Sequence, residues 1–294
     1  MSPSLVLPNG RDLAYDSWGD PDGLPLLCLH GTPGCRLDYQ WPIEEEVVAT
    51  GARIIAYDRP GYGRSSRHPG RRVIDCVADA TALLDHLGVD RFAVLGGSGG
   101  GPHCLAVAAL LPDRVVRAKC DVGLAPYGAE DLEWLDGMDP ENVKEHGWAR
   151  GGEEVLVREL EREEAAMRAR VEADPASILG DFDLPEADRE SLGHPVLQQI
   201  IVASVAEQCV NGVSGWVDDD LAFLRPWGFD PADIAVPVEV WYGEADVLVP
   251  AAHGRWLAQR VPGADVHIQA DEGHMGDVDK ILERIRDFVE AASR

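Results

Sequence analysis

The chain has 294 residues, 45% of them hydrophobic, which suffices for one sizeable core carrying an inserted subdomain. Its 52 acidic and 26 basic residues give a net charge of −26, a surface that repels phosphate backbones and anionic lipid and so speaks against nucleic acid and membranes as partners. Residues 1–10 hold no basic region followed by an apolar stretch, and no apolar run reaches the roughly 18 residues of a membrane span, so the sequence predicts a cytoplasmic protein without a leader.

Two short strands are predicted at the start, Ser4–Leu7 and Leu13–Trp18, joined by the turn-forming Pro8-Asn9-Gly10. Leu24–Leu29 is a continuous apolar run, as expected of a strand buried on both faces of a parallel sheet. Ile43–Ala49 reads as a helix closed by Gly51, and Arg53–Tyr57 as the next strand. Val73, Val77, Ala80, Leu84 and Leu87 recur at helical spacing before Gly88, which marks a helix over Val73–Leu87. A strand at Arg91–Gly96, an alanine-rich helix at Pro102–Leu111 and a strand at Val115–Val122 follow.

Regular alternation then stops. Residues 126–225 read as mainly helical and strongly acidic, a pattern expected of a solvated face. One helix has Leu156, Leu160, Met167 and Val171 on its apolar side and the i,i+4 pairs Glu154–Arg158 and Glu164–Arg168, and it ends at Asp174-Pro175. Pro195–Val210 is a second, more apolar helix. Alternation resumes with the strand Val238–Tyr242, the helix Ala251–Arg260, the strand Asp265–Gln269 and the helix Val278–Ala292. The pattern is α/β: a doubly wound, mostly parallel sheet built from residues 1–125 and 226–294, with residues 126–225 as a helical cap. The six cysteines show no CxxC spacing and fall within predicted elements, so reduced buried thiols are expected, and neither disulfides nor a metal site.

The chemistry centres on Gly96-Gly97-Ser98-Gly99-Gly100, a GxSxG directly after a strand and before a helix. A nucleophile on so tight a turn sits in a strained backbone conformation and needs small neighbours. The helix N-terminus behind it favours developing negative charge. A phosphate-binding reading of this glycine-rich turn lacks both GxGxxG and the P-loop lysine. His30-Gly31-Thr32-Pro33-Gly34 follows a strand and aims a backbone N–H at the sheet's upper edge, making the N–H groups of Thr32 and Gly99 the candidate oxyanion donors. Of nine histidines, His274 lies in the loop after the last strand, where such sheets place their chemistry. His30 is read as shaping the oxyanion turn, His86, His103 and His253 as lying on helices, and His267 as part of a strand. Asp246, past the end of a strand, is the candidate orienting acid, with Glu244 as the weaker alternative. The order Ser98, Asp246, His274 is that of α/β hydrolases.

Taken together, HGTPG at 30–34, DRPGYGRS at 58–65, GGSGG at 96–100, GEADVLVP at 243–250 and EGHM at 272–275 resemble the α/β-hydrolase family over nearly the whole chain outside the insert. The resemblance implies a triad of Ser98, Asp246 and His274, oxyanion donors at Thr32 and Gly99, no cofactor, and a cap that shapes the pocket. Dehalogenases and epoxide hydrolases of this fold carry Asp at the elbow, and Ser98 sets them aside. Proline iminopeptidases share HGxPG, but their elbow commonly has an aromatic where this chain has Gly99. The doubled glycines Gly97 and Gly99 are expected to leave room for a bulky acyl group. Trp134, Trp148, Trp216 and Trp227 are the candidate pocket aromatics. The expected activity is hydrolysis of a carboxylic ester or lactone of a small to medium apolar compound, by a monomer or homodimer. The alternatives are an iminopeptidase-like amidase, a cofactor-free haloperoxidase, and a non-catalytic receptor on the same scaffold.

Overall fold

The computed structural model describes residues 3–294; the first two residues of the segment read for a leader lie outside it. Among the described residues, eight strands form one sheet: β1 (Ser4–Val6), β2 (Asp12–Gly19), β3 (Leu24–Leu29), β4 (Ala52–Tyr57), β5 (Phe92–Gly97), β6 (Val115–Asp121), β7 (Val238–Gly243) and β8 (Asp265–Gln269). Their spatial order is β1-β2-β4-β3-β5-β6-β7-β8. β1 and β2 pair antiparallel at one edge, β2 joins β4 antiparallel, and every later pairing is parallel. Both faces are covered, so β3 and β5 at the centre of the sheet carry no charged residue. In β3, Leu26, Leu27, Cys28 and Leu29 are all buried, each side chain worth about 1.5–3 kcal/mol when fully removed from water.

One face carries α2 (Cys76–His86), α3 (Gly101–Leu110) and α9 (Ala251–Arg260); the other carries the short α1 (Glu44–Val48) and α10 (Ile281–Ala292). The predicted helices at Val73–Leu87 and Val278–Ala292 each open with a single 3-10 turn. Between β6 and β7 come α4 (Pro140–Arg150), α5 (Glu153–Ala173), α6 (Glu186–Leu192), α7 (Pro195–Gln208) and α8 (Ser214–Phe223), which share a separate hydrophobic cluster. Leu156, Leu160, Met167 and Val171 are buried in it as the spacing predicts. Only one of the two expected i,i+4 pairs forms: Glu164 meets Arg168 at 2.5 Å, whereas Arg158 turns to its neighbour Glu159. All six cysteines are free and buried. No helix among the described residues is long and apolar enough to cross a membrane.

Candidate active site

β5 runs directly into the turn that carries Ser98, whose φ of 51° is a left-handed conformation that L residues rarely adopt. Such strain persists only where the surroundings impose it, and it lifts the hydroxyl above the sheet end. Ser98 opens onto a cavity of about 500 Å³, within the range of small-molecule sites.

His274 and Asp246, 28 residues apart, meet here: Nδ1 donates to Asp246 Oδ2 at 2.8 Å. The other oxygen of Asp246 accepts the N–H groups of Leu248 and Val249, both at 2.8 Å. Asp246 is thus fixed by its own turn and can aim only one lone pair at the ring. Its neighbour Glu244 instead pairs with Arg255 on α9, which removes it as the orienting acid. Burial disfavours a charged His274, but the Asp246 carboxylate, its hydrogen bond and Asp188 outweigh this, and the imidazole is held above its ordinary value. His274 lines the same cavity as Ser98.

The loop that carries Thr32 is held from behind. Arg59 donates to the carbonyls of His30 and Gly31 and to Thr32 Oγ1. His30, kept neutral by burial and by Arg59, donates from Nδ1 to Gly31 O at 2.8 Å and accepts the Arg59 N–H on Nε2 at 3.0 Å. A trans peptide points its C=O and N–H in opposite directions. Pinning the Gly31 carbonyl toward Arg59 therefore turns the Thr32 N–H the other way, toward the elbow. A Cβ placed on Gly99 would stand 3.1 Å from that nitrogen, so the two proposed donors are neighbours.

The same closeness corrects one expectation. The space at Gly99 is not free for an acyl group, because the Thr32 side chain fills it, and a Cβ there would come within 2.7 Å of Thr32 Cβ. At Gly97 a Cβ would lie 3.4 Å from the Tyr39 hydroxyl, which accepts the Gly97 N–H and donates to Leu29 O. Gly99 thus admits the Thr32 side chain, while Gly97 keeps room for a Cβ and lines the cavity.

Of the four tryptophans, Trp148 and Trp216 line the cavity. Trp134 and Trp227 do not, and both are corrected. Trp134 stacks on His146 and donates to Ala125 O at 2.7 Å, while Trp227 stacks on Phe229 in the main core. Their buried rings were already engaged, which spacing in a sequence does not reveal. Trp41 and Trp241, outside the insert, line the cavity in their place.

Three residues that the sequence reading passed over hold the site. Arg59 follows β4 in the DRPGYG stretch, where a charge on a glycine-rich turn was its only signal. Asp219 of α8 accepts from Thr32 Oγ1 at 2.8 Å, Arg59 at 2.6 Å, Tyr62 at 2.9 Å and Arg71 at 2.5 Å. Burial alone would raise its carboxyl, but Arg59 and Arg71, joined by His103, hold it well below the usual carboxylate range. Asp188 of α6 accepts the backbone N–H groups of His274 and Met275 at 3.0 and 2.8 Å. Both aspartates sit in acidic stretches that read as solvated surface.

The mostly parallel sheet thus carries Ser98 on a tight turn after β5, Asp246 after β7 and His274 after β8, with a helical insert between β6 and β7. The family model for the alpha/beta hydrolase fold matches residues 25–280, and the chain belongs to that family. The acetyltransferase component of the acetoin cleaving system of Pseudomonas putida is 35% identical over 278 residues, covering 93% of this chain; the chain spans 65% of that relative's length. A probable proline iminopeptidase of Leptolyngbya boryana is 36% identical over 88% of this chain and 84% of its own. Among solved structures, an alpha/beta hydrolase fold protein of Chitinophaga pinensis superposes with a TM-score of 0.71 at 20% identity, covering 99% of this chain and 98% of that one.

Proposed function

We propose that the protein is a serine hydrolase that cleaves a carboxylic ester or lactone of a small to medium apolar compound. The observation that carries this reading is the 2.8 Å Asp246–His274 hydrogen bond beside a strained Ser98 on one cavity. Neutral His274 takes the Ser98 proton from its Nε2 side as Oγ attacks the carbonyl carbon. Asp246 keeps the Nδ1–H tautomer and stabilises the imidazolium. The Thr32 and Gly99 N–H groups receive the oxyanion, each worth about 2.7–4 kcal/mol of barrier. The tetrahedral adduct collapses, His274 protonates the departing alcohol, and water attacks the acyl-serine by the same steps. Residues 126–225 serve as the cap over this cavity.

A second reading, an aminopeptidase-like amidase, is favoured by one feature. Glu145 and Asp220 are adjacent half-buried carboxyls of the insert; loss of hydration pushes Glu145 up to about 7, and the same loss together with Glu145 raises Asp220. Glu145 lines the cavity, where a substrate ammonium could replace the proton that the pair retains.

The test is labelling with a fluorophosphonate beside a Ser98→Ala control, followed by turnover of aryl esters and proline arylamides. Labelling that requires Ser98 and faster ester turnover are expected. Labelling that persists in Ser98→Ala removes the nucleophile assignment, and faster arylamide turnover moves the reading to the amidase.

A further inference from the structure

The ends of β3 and β5 meet beside the elbow. Leu29 stands opposite Gly96, so the Leu29 carbonyl and the Gly97 N–H are a pair that a parallel ladder can bond directly. Here the Tyr39 hydroxyl stands between them. It accepts the Gly97 N–H at 3.1 Å and donates to Leu29 O at 3.0 Å. The two strand ends are thereby held apart by the width of a hydroxyl. The elbow also bears on the same strand end, since a Cβ on Gly100 would collide with the Leu29 and His30 carbonyl oxygens. Beyond this point the two chains part: β5 continues into Ser98 and Gly99, and β3 into the loop that carries Thr32.

Tyr39 is fixed from elsewhere and does not follow the strands. It closes a single 3-10 turn, Arg36–Tyr39. Arg36 binds Asp58 through its N–H at 2.9 Å and its guanidinium at 2.6 Å, Asp16 of β2 at 2.7 Å and Glu207 of α7 at 3.0 Å. Asp38 accepts from Ser204 of α7, and Trp18 of β2 donates to Tyr39 O at 3.2 Å. Burial, with Cys28, Asp121 and Asp38 nearby, raises the phenol well above its ordinary value, so the hydroxyl keeps the proton that it shares with Leu29 O.

Ser98 follows Gly97 directly, and Thr32 lies three residues past Leu29. The gap at the strand ends therefore passes to the nucleophile on one side and to a proposed oxyanion donor on the other. Arg59 and Asp219 hold the Thr32 side of this gap. We propose that Tyr39 is a positioning residue: its hydroxyl, a fixed post between β3 and β5, sets the distance between the Thr32 N–H and the Ser98–Gly99 elbow. The proposal rests on Ser98 being the nucleophile and on Thr32 and Gly99 being the donors. A misplacement of about 1 Å at such a site costs about 10²-fold in rate.

Diethyl para-nitrophenyl phosphate and its thiophosphate (P=S) counterpart test it without depending on ester or amide preference. With each, Ser98 Oγ bonds to phosphorus, the bond to para-nitrophenolate breaks, and the serine proton passes to His274. Sulfur is a weak hydrogen-bond acceptor, so only the phosphoryl oxygen draws fully on the two donors. Phenolate release and the mass of the adduct give both rates. The parent should prefer the phosphate by about tenfold or more beyond the preference that hydroxide ion shows. Tyr39→Phe keeps the ring and removes only the hydroxyl. It should cut the phosphate rate by about tenfold or more and leave the thiophosphate rate within about twofold. The pH limb of the phosphate reaction should stay in place, because Asp246 and His274 are untouched. Equal losses with both probes, no loss with either, a displaced limb, or a parent preference no greater than that of hydroxide each overturn the role of Tyr39 while leaving Ser98 labelled. Should Tyr39→Phe fail to fold, Ser204→Ala decides, since it loosens the turn and leaves the hydroxyl in place. It should lower the phosphate rate by about threefold with the thiophosphate rate unchanged, and two unchanged rates overturn the proposal. Absence of any Ser98 adduct in the parent overturns the nucleophile and the positioning residue together.

Discussion

At His274 two influences oppose each other, and the carboxylate prevails over burial, leaving the imidazole above its ordinary value of about 6.5. A base must be neutral, so kcat/KM should rise with pH through a limb that lies above that value. Asp246→Asn should move the limb down and lower kcat by about 10⁴-fold, because the tautomer is no longer set. The sign for stability is the reverse. A raised histidine stabilises the fold fully below its unfolded pKa and loses that contribution as pH rises through the folded one. Asp246→Asn should therefore lower Tm more at acidic than at alkaline pH, which calorimetry at the two ends would measure. The meeting of Asp246 and His274 at the cavity of Ser98 was readable because each of the three lies in a short motif at a strand end, where local spacing fixes position. Gly99 was misread because a missing side chain says nothing about who occupies the space, and here Thr32 does.

Among the elements, α8 does most to tie the insert to the sheet. Its Asp219 bonds Thr32, Arg59, Tyr62 and Arg71, all from segments before β5. Removing the charge leaves two buried guanidiniums short of a partner, a loss of about 3–5 kcal/mol. Asp219→Asn should lower the denaturation midpoint accordingly. It should also reduce kcat with little change in KM, since in the proposed mechanism the Thr32 donor acts on the developing oxyanion rather than on the bound substrate. A midpoint shift with unchanged kcat would show that Asp219 only holds the fold. Strands and core helices were legible within a residue or two because their apolar periods are long. Within the insert, α4, α6 and α8 were not resolved individually. Their turns carry charges such as Asp188 and Asp219 that face inward, so polarity ceased to report the surface.

Over the whole molecule, the net charge of −26 makes the chain repel itself. Raising NaCl from about 10 mM to about 150 mM shortens the screening length from about 30 Å to about 8 Å, so Tm should climb across that range. A flat or falling Tm would mean that exposed ion pairs such as Arg64–Glu207, which salt weakens, outweigh the self-repulsion. Composition predicted the surface well. It did not foretell a cavity that reaches Lys119 and Asp121, because these two look like ordinary alternation in an edge strand until β7 pairs alongside them.

Asp188 gives the insert a further significance. By gripping the backbone of His274 and Met275, a helix far away in the chain helps set where the proposed proton acceptor stands. Recognition and chemistry are then inherited together. A chimaera that exchanges residues 126–225 for the corresponding insert of another hydrolase would remove this anchor, so the insert cannot be swapped as an independent module unless an equivalent hold on the His274 backbone travels along.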